Sequence, residues 1–290
     1  MKYAFIEQNE CEVSTTRQCR WLGVSSSGYY DWRARRERPR PRPRSDHRAV
    51  IDEAVRIAFA AARERYGSPR LSVELNESGF AVAENTVAAS LRRQGLVAKA
   101  GRKFKATTNS AHALAVSPNL LMQDFTCKEI NQKWCGDITY LWCDEGWMYL
   151  ATVIDLYSRR VIGWSVSHRM TKQLACDAMV MAIEARSDIA GVIMHTDRGS
   201  QYCSEQFQAL LRSHEIRSSM SARGDCFDNA CAESFFHSLK IEAIHGERFT
   251  TRESVRTAVF EYIELYYNTT RRHSTSDNTS PAKYELANAA

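Results

Sequence analysis

The chain has 290 residues, with 39 Lys+Arg and 34 Asp+Glu, so its formal net charge is +5. Its composition, 44% hydrophobic and 25% charged, excludes a wholly disordered or fibrous chain and predicts about two domains for this length. A run of about 18 apolar residues is absent from the sequence, and so is an apolar secretory leader, so we expect a cytoplasmic protein without a membrane span.

The charge is divided unevenly along the chain. Residues 1–120 contain 21 basic and 12 acidic residues, a net of +9, whereas residues 121–290 contain 18 basic and 22 acidic residues, a net of −4. A basic block of this size indicates a polyanionic partner, most simply nucleic acid. A solvated basic surface without a specific partner is the alternative.

Residues 1–46 are interpreted as an N-terminal arm and an Arg/Pro linker. Cys19, Leu22 and Tyr29–Tyr30 are predicted to line a short helical hairpin with Gly23 at its turn. The segment RARRERPRPRPRSDHR at 33–48 contains eight arginines and three prolines, and alternating Pro-Arg cannot continue a helix. It predicts a semi-extended linker whose arginines follow a phosphate backbone, and the candidates for this DNA contact are Arg40, Arg42 and Arg44. A linker that is merely soluble is the alternative.

Residues 47–100 are predicted to form a helix-turn-helix DNA-binding domain of three helices. The first covers Ala49–Arg65, and its apolar positions at helical spacing are Val50, Ala54, Ile57, Ala58 and Ala61. A short helix at Leu71–Glu77 follows, then a turn at Gly79 and a third helix, Glu84–Gln94, closed by Gly95.

The third of these helices ends in Arg92 and Arg93, which are therefore candidates for DNA contact. Three-helix packing without DNA would give the same pattern, so the basic linker beside it favours the DNA interpretation. Residues 101–124 lack periodicity and are predicted to be a second linker.

Residues 125–290 change in character to strands and then to alternating helices and strands. Three strands are predicted as an antiparallel meander, at Trp134–Cys143, Trp147–Asp155 and Val161–His168. The later elements are helices at Lys172–Ala185, Ser204–Ser213, Asp228–Glu242 and Glu253–Tyr267 and strands at Val192–Asp197 and Arg217–Met220. This order predicts an α/β domain with a mixed five-stranded sheet and flanking helices, preceded by the all-α region.

Three acidic residues lie at positions from which they could form a catalytic site. Asp137 is in the middle of the first strand, Asp197 ends the fourth, and Glu233 lies on the helix DNACAESFFHSLKIE. At about 100° per residue, Glu233 shares a helix face with Asn229, His237 and Lys240, while an ordinary solvated face would give the same stripe. Converging carboxylates repel one another without a cation, and hard oxygen ligands select Mg²⁺ or Mn²⁺.

These residues occur within a longer set of motifs. W-x-x-D-x-T spans Trp134–Thr139, H-T-D-R-G-S-Q-Y spans His195–Tyr202, 35 residues separate Asp197 from Glu233, and Y-N-x-x-R-R-H-S spans Tyr267–Ser274. In this order they resemble the D-D-35-E core of integrases and transposases, and more closely the second-reading-frame (OrfB) transposases of the bacterial insertion-sequence-three family. The resemblance covers nearly the whole chain.

The resemblance implies a ribonuclease-H-like fold and DNA cleavage followed by strand transfer, by which an insertion sequence is integrated. It implies that Asp137, Asp197 and Glu233 are catalytic and hold two Mg²⁺ ions, that Lys240 contacts DNA, and that Asn229, His195 and His237 support the site. DNA would be the partner, bound by a homo-oligomer at the bacterial nucleoid. A first-reading-frame partner or fusion is also implied, because no sustained heptad repeat precedes residue 50.

Some alternatives remain at this stage. Asp155, near the end of the second strand, competes with Asp137, and His195 is as compatible with buried support as with catalysis. A non-catalytic DNA-binding regulator and a ribonuclease-H-type nuclease that never joins DNA are the rival functions.

The chain contains nine cysteines, and no two of them form a C-x-x-C pair, so we expect buried thiols rather than a zinc site. They are Cys11, Cys19, Cys127, Cys135, Cys143, Cys176, Cys203, Cys226 and Cys231.

Overall fold

The structure is a computed structural model that describes residues 1–10, 13–37, 43–99, 115–221 and 229–288. Its first three helices are α1 (Lys2–Gln8), α2 (Thr15–Trp21) and α3 (Ser26–Glu37). They enclose a small core of Ile6, Cys19 and Tyr29, whereas Tyr30 is exposed. The predicted hairpin turn is confirmed at Gly23, whose φ is +61°.

The extended linker is predicted over residues 33–48, but helices occupy both ends of this segment. Helix α3 continues to Glu37, and helix α4 (Pro43–Ala61) begins at the third proline. A proline is compatible with the first turn of a helix, where its missing N–H has no intrahelical partner to lose. The Pro-Arg alternation at 38–42 lies outside the described residues, and so do Arg40, Arg42 and the side chain of Arg44.

Three helices form the next unit, namely α4, α5 (Ser68–Glu77) and α6 (Glu84–Gln94), which ends at the left-handed Gly95. This confirms the predicted helix order and the packing of Ala54 and Ala58, but the other predicted apolar positions of α4 do not face the core. Val50 and Ile57 are more than half exposed, while Ile51, Val55 and Phe59 are buried. The second set also has helical spacing, and it is the set that α5 and α6 cover.

Five strands form one sheet in the order β3-β2-β1-β4-β5. They are β1 (Lys133–Cys143), β2 (Gly146–Asp155), β3 (Val161–Ser167), β4 (Ile193–Thr196) and β5 (Arg217–Met220). The pairs β1–β2 and β2–β3 are antiparallel, which confirms the meander, whereas β4 lies parallel to both β1 and β5. This is the predicted mixed five-stranded sheet of a ribonuclease-H-like domain.

Helices cover both faces of this sheet. On one face lie α7 (Lys172–Glu184) and α8 (Glu205–Ser213), packed on Trp134, Ala151 and Val153. On the other lie α9 (Ala230–Leu239), extended by a π-helical turn Lys240–Ile244, and α10 (Arg252–Phe260), extended by a π-helical segment Glu261–Tyr267. Gly163 lets β3 and α7 pack closely against each other, because a Cβ at this position would lie 2.1 Å from the Ala178 carbonyl oxygen of α7.

The chain ends with a segment of residues 268–280, here termed the C-terminal tail, followed by helix α11 (Pro281–Ala287). The tail contacts both units. Arg271 donates to Glu242 beside α9, and Arg272 donates to Glu74 and Glu77 on α5, at 2.9 and 2.5 Å. The helix-turn-helix unit is therefore attached to the sheet domain by ion pairs. In the described part of the chain, helices long and apolar enough to cross a bilayer are absent.

A carboxylate site at the centre of the sheet

Asp137 lies on β1, the central strand of the sheet. Side chains alternate along a strand, so Asp137 shares a face with Cys135 and Leu141, the face that α9 covers. One of its carboxylate oxygens, Oδ1, accepts a hydrogen bond from the Ile138 amide at 2.8 Å. The side chain is only partly exposed. A carboxylate at this depth needs a hydrogen-bond donor, a proton or a cation.

Asp197 follows the end of β4 and comes next to Asp137 through the strand register. Gly136 pairs with Thr196 in the parallel β1–β4 ladder, so the following residues on the two strands, Asp137 and Asp197, are neighbours. The loop after β4 positions the second carboxylate, since the Gly199 amide donates to Asp197 Oδ1 at 2.8 Å. A Cβ at Gly199 would lie 2.9 Å from that same oxygen, so the turn favours glycine.

Glu233 is supplied by α9, the helix packed over Asp137. Ala232, Phe235, Phe236 and Leu239 of this helix are buried in the core, which confirms the predicted apolar face. Glu233 and His237 are exposed on the opposite side. Partial burial nevertheless raises the pKa of the Glu233 carboxyl. The core-facing aromatic residues thus fix which side of α9 presents Glu233.

The three carboxylates act on one another electrostatically. Burial, the Asp197 carboxylate and, more weakly, the Glu233 carboxylate raise the pKa of Asp137 to about 8, against the Ile138 amide and the Lys240 ammonium, which lower it. A neighbouring negative charge disfavours ionisation of a carboxyl group. In the absence of a cation, Asp137 therefore holds a proton at neutral pH.

The site has the oxygen atoms that a hard divalent cation takes as ligands. Besides the carboxylates, Tyr202 Oη and Asn229 Oδ1 are buried and have no hydrogen-bond partner in the described residues. Asp137 and Asp197 also help to raise the pKa of the Tyr202 phenol well above its usual range, after burial. Among the residues described, no three metal-ligating side chains lie close enough together to hold a metal ion as they stand.

Asn229 lies at the start of α9, one turn before Glu233. It occupies the N-cap position of α9, but its side chain makes no cap hydrogen bond, and Asp228 lies outside the described residues. Sequence reasoning named Tyr202 only as the last residue of a motif. Its proximity to two carboxylates depends on the loop after β4, and the sequence contains no local signal for it.

The Lys240 ammonium acts on Asp137 and lowers the pKa of its carboxyl. Its Nζ lies 4.7 Å from the centre of the exposed Tyr140 ring, a cation–π distance. Burial lowers the pKa of Lys240, and the Asp137 carboxylate opposes this effect. Tyr140, which sequence reasoning did not single out, therefore holds the lysine at the border of the site.

His195 and Asp155 are placed as structural residues. The His195 ring is fully buried, with its Nδ1 2.9 Å from Ser219 Oγ and its Nε2 3.1 Å from Ser221 Oγ at β5. Asp155 is also fully buried, and it accepts hydrogen bonds from the amides of Asn131 and Tyr157 at 2.9 Å. Both side chains thus hold the ends of strands together.

The two arginines at the end of α6 differ in their surroundings. Arg93 is engaged with Asp52 of α4, with an Nη2–Oδ1 distance of 2.5 Å, and Ser90 donates to the same carboxylate. Arg92 is exposed, and its Nε donates to the Ala88 carbonyl at 3.3 Å. An i,i+41 ion pair has no local sequence signal, so the contribution of Arg93 to packing was not predicted.

Comparison with known proteins gives matches over nearly all of the chain. Two models of the integrase core domain match residues 128–226 and 233–288, and a model of an HTH-like domain matches residues 46–104. The chain is 56% identical over 290 residues, all of both chains, to "Transposase InsF for insertion sequence IS3A" of Escherichia coli strain K12. It is 41% identical over 266 residues, 92% of this chain and 96% of the relative, to "Insertion element IS600 uncharacterized 31 kDa protein" of Shigella sonnei.

Solved structures also resemble this chain, at low identity. The HTLV-2 integrase catalytic core domain in complex with magnesium matches with a TM-score of 0.41 and 17% identity, over 55% of this chain and 99% of that one. A simian T-cell lymphotropic virus intasome in complex with the PP2A regulatory subunit B56 gamma matches with a TM-score of 0.45 and 15% identity, over 80% of this chain and 74% of that one.

Proposed function

Because the chain belongs to the family of InsF transposases of insertion sequence IS3, and so is a DDE-type insertion-sequence transposase, we propose that Asp137, Asp197 and Glu233 are its catalytic residues. The proposed reaction is cleavage of DNA at the ends of the element and transfer of the freed 3′-hydroxyl to target DNA. The observation that supports this assignment is the parallel β1–β4 register, which makes Asp137 and Asp197 neighbours. The contributions of the Asp197 and Glu233 carboxylates to the raised pKa of Asp137, which come in addition to burial, agree with it.

An integrase-type core depends on divalent metal, and we propose two Mg²⁺ ions, with Mn²⁺ as a substitute. Asp137, Asp197 and Glu233 would hold them, and the unpaired Oδ1 of Asn229 supports this donor set. Two such ions activate an attacking oxygen and stabilise a leaving oxygen in phosphoryl transfer. Bound cations would favour the ionised form of Asp137, whose pKa is raised mainly by burial and then by the Asp197 carboxylate.

The remaining groups bind and orient DNA. The helix-turn-helix unit binds DNA, and the exposed Arg92 at the end of α6 is a phosphate contact in this proposal, as are Arg40, Arg42 and Arg44. Lys240 contacts the DNA strand beside Asp137, oriented by the Tyr140 ring. The attacking groups are water and then a DNA hydroxyl, so a serine or tyrosine nucleophile is not needed. His195 supports β4 from within the core. In this proposal the exposed His237 supports the site, and Arg93 contacts DNA.

A joining assay tests the catalytic assignment. Asp137→Asn removes the charge at constant size, and Asp177→Asn, on the exposed side of α7, is the matched control. With labelled element ends, target DNA and Mg²⁺, we expect the wild type and Asp177→Asn to cut and join. Asp137→Asn should bind DNA but do neither.

Two outcomes would contradict this proposal. Full activity of Asp137→Asn would exclude Asp137 from the catalytic set. Cleavage by the wild type without any joined product would instead favour a nuclease of the same fold.

The wider assembly is also a proposal. A DNA-bound homo-oligomer at the bacterial nucleoid fits a reaction that joins two element ends to a target. A product of a first reading frame, as a partner or as a fusion, would supply recognition of the element ends. The basic net charge of residues 1–120 supports a location on DNA.

A further inference from the structure

A second site lies beside α9, on a helix face next to the one that carries Glu233. It is a pocket of about 360 Å³ between Arg70 of α5, helix α9 and the C-terminal tail. Three arginines line it, Arg70, Arg159 and Arg271, together with hydroxyl groups and a histidine. These latter residues are Ser234, Ser238, His273, Ser274 and Thr275.

The positive charge of this pocket exceeds the negative charge beside it. Arg271 is paired with Glu242 at 2.8 Å, and Arg70 lies 3.7 Å from the same carboxylate. The Arg159 guanidinium is not in an ion pair with any carboxylate of the described residues, and its hydrogen-bond partner is the Cys231 thiol. Three guanidinium groups thus face one carboxylate and one thiol, so the pocket has an excess of positive charge.

The pKa of His273 is lowered by burial and by the same positive charge. Burial and the guanidinium groups of Arg271, Arg70 and Arg159 lower the pKa of this histidine to about 3. A neutral imidazole, serine and threonine hydroxyls and an uncompensated guanidinium together form a donor set suited to an oxyanion. The guanidinium fork matches the geometry of a phosphate group, to which it can donate two parallel hydrogen bonds.

The pocket is linked to the carboxylate cluster through two elements. Cys231 lines the pocket and precedes Glu233 by two residues on α9. Its thiol is hydrogen-bonded with Cys135, which precedes Asp137 by two residues on β1. The pocket and the carboxylates thus share α9 and β1, and this shared support favours a backbone phosphate of bound DNA over a free phosphate as the ligand.

We propose that this pocket binds one phosphodiester group of the DNA on which the enzyme acts, with Arg159 as its main contact. This inference rests on the proposed function, since it presupposes DNA at the carboxylate cluster. It assigns a binding role to the Y-N-x-x-R-R-H-S motif at Tyr267–Ser274, whose Arg271 and His273 line the pocket. The helix-turn-helix unit contributes Arg70 to the same site.

The test is the salt dependence of DNA binding by the full-length protein. Each neutralised phosphate contributes about −0.9 to the slope of log affinity against log salt concentration. Arg159→Met should reduce the steepness of this slope by about 0.9 and weaken binding of a labelled duplex about tenfold. Arg212→Met, which removes an equal charge from an exposed pair with Glu205 on α8, should leave the slope unchanged.

Further arms keep the test decisive. Arg159→Lys should restore most of the slope, and Arg70→Met should reproduce the loss if Arg159→Met does not fold. Equal slopes for Arg159→Met and Arg212→Met would overturn the proposal. A second result would also overturn it: inorganic phosphate protects the wild type against thermal unfolding, while Arg159→Met has the same salt slope of DNA binding as the wild type. The pocket would then bind free phosphate. A wild-type protein that did not bind DNA would refute the proposed function instead.

Discussion

The ion pair between Arg271 and Glu242 gives a quantitative test of how the tail is attached. Both side chains are almost completely buried, with 6% and 7% of their surfaces exposed. Arg271 donates to both oxygens of Glu242 at 2.8 to 3.1 Å and to Ser238 Oγ at 2.9 Å. The hydroxyl of Tyr262 donates to Glu242 at 3.0 Å. Arg271→Met would leave this carboxylate buried without its main partner.

The expected cost follows from that burial. Removal of one member of a buried ion pair costs about 3–5 kcal/mol, because the remaining charge is uncompensated. Tyr262 still donates to Glu242, and Arg70 lies 3.7 Å away, so we expect the lower end, about 3 kcal/mol of unfolding free energy. Adding Glu242→Gln to Arg271→Met removes the buried charge, so the double variant should recover more than half of the loss.

Chemical denaturation followed by circular dichroism measures this difference. Arg256→Met is the matched control, because Arg256 forms an exposed pair with Glu253 at 3.4 Å. It should cost less than about 0.5 kcal/mol. A loss below about 1 kcal/mol in Arg271→Met, or a double variant no more stable than the single one, would show that burial of this pair does not govern its contribution.

Two further predictions concern the sheet. Gly163→Ala would place a methyl group 2.1 Å from the Ala178 carbonyl, and we expect it to lower the free energy of unfolding by about 3 kcal/mol in denaturation. Gly67→Ala, whose Cβ would have only a 3.8 Å contact, should lower it little. Equal losses in the two variants would refute the close-packing argument. Without divalent cations, Asp137 binds a proton in the folded state up to about pH 8 but only up to its ordinary pKa in the unfolded state. Its contribution makes stability fall as pH rises between these values, by about 1.4 kcal/mol per unit, and Asp137→Asn should remove this slope in denaturation at several pH values; an unchanged slope would contradict the raised pKa.

Much of the sheet domain could be predicted from the sequence. Strand β5 has the predicted bounds, and β1, β2 and β3 differ from them by one residue at one end, because alternating burial and short turns are local properties. The site acids were predicted from motif spacing. The structure brings Asp137 and Asp197 together through the parallel β1–β4 register, and it saturates Asp155 with backbone amides.

The exposure of Val50 and Ile57 on α4 has a physical reason. Val50 and Ile57 have helical spacing, but so do Ile51, Val55 and Phe59. A helix with apolar residues on two sides does not reveal which side is covered. That choice depends on where α5 and α6 lie, which is information about tertiary packing.

The roles of the tail could not be predicted for a different reason. Arg271 and Arg272 occur in a motif, but their partners lie 29 residues away at Glu242 and 198 and 195 residues away at Glu74 and Glu77. Contacts at such separations leave no periodic pattern in the sequence. The same holds for Asn268, whose side chain is hydrogen-bonded to both the amide and the carbonyl of Val161 on β3.

The attachment of the helix-turn-helix unit by the tail has a consequence for synthesis on the ribosome. Residues 43–99 leave the exit tunnel long before Arg271 and Arg272 are translated. The helix-turn-helix unit is therefore free of these ion pairs until almost the whole chain has been made. A shortened translation product that lacks the tail would retain Asp137, Asp197 and Glu233 but not the ion pairs of Arg272 with Glu74 and Glu77. Its DNA-binding unit would be held only by the remaining contacts, such as the hydrogen bond from Arg65 to the Glu242 carbonyl. The order in which the chain is built thus leaves this part of the attachment until last.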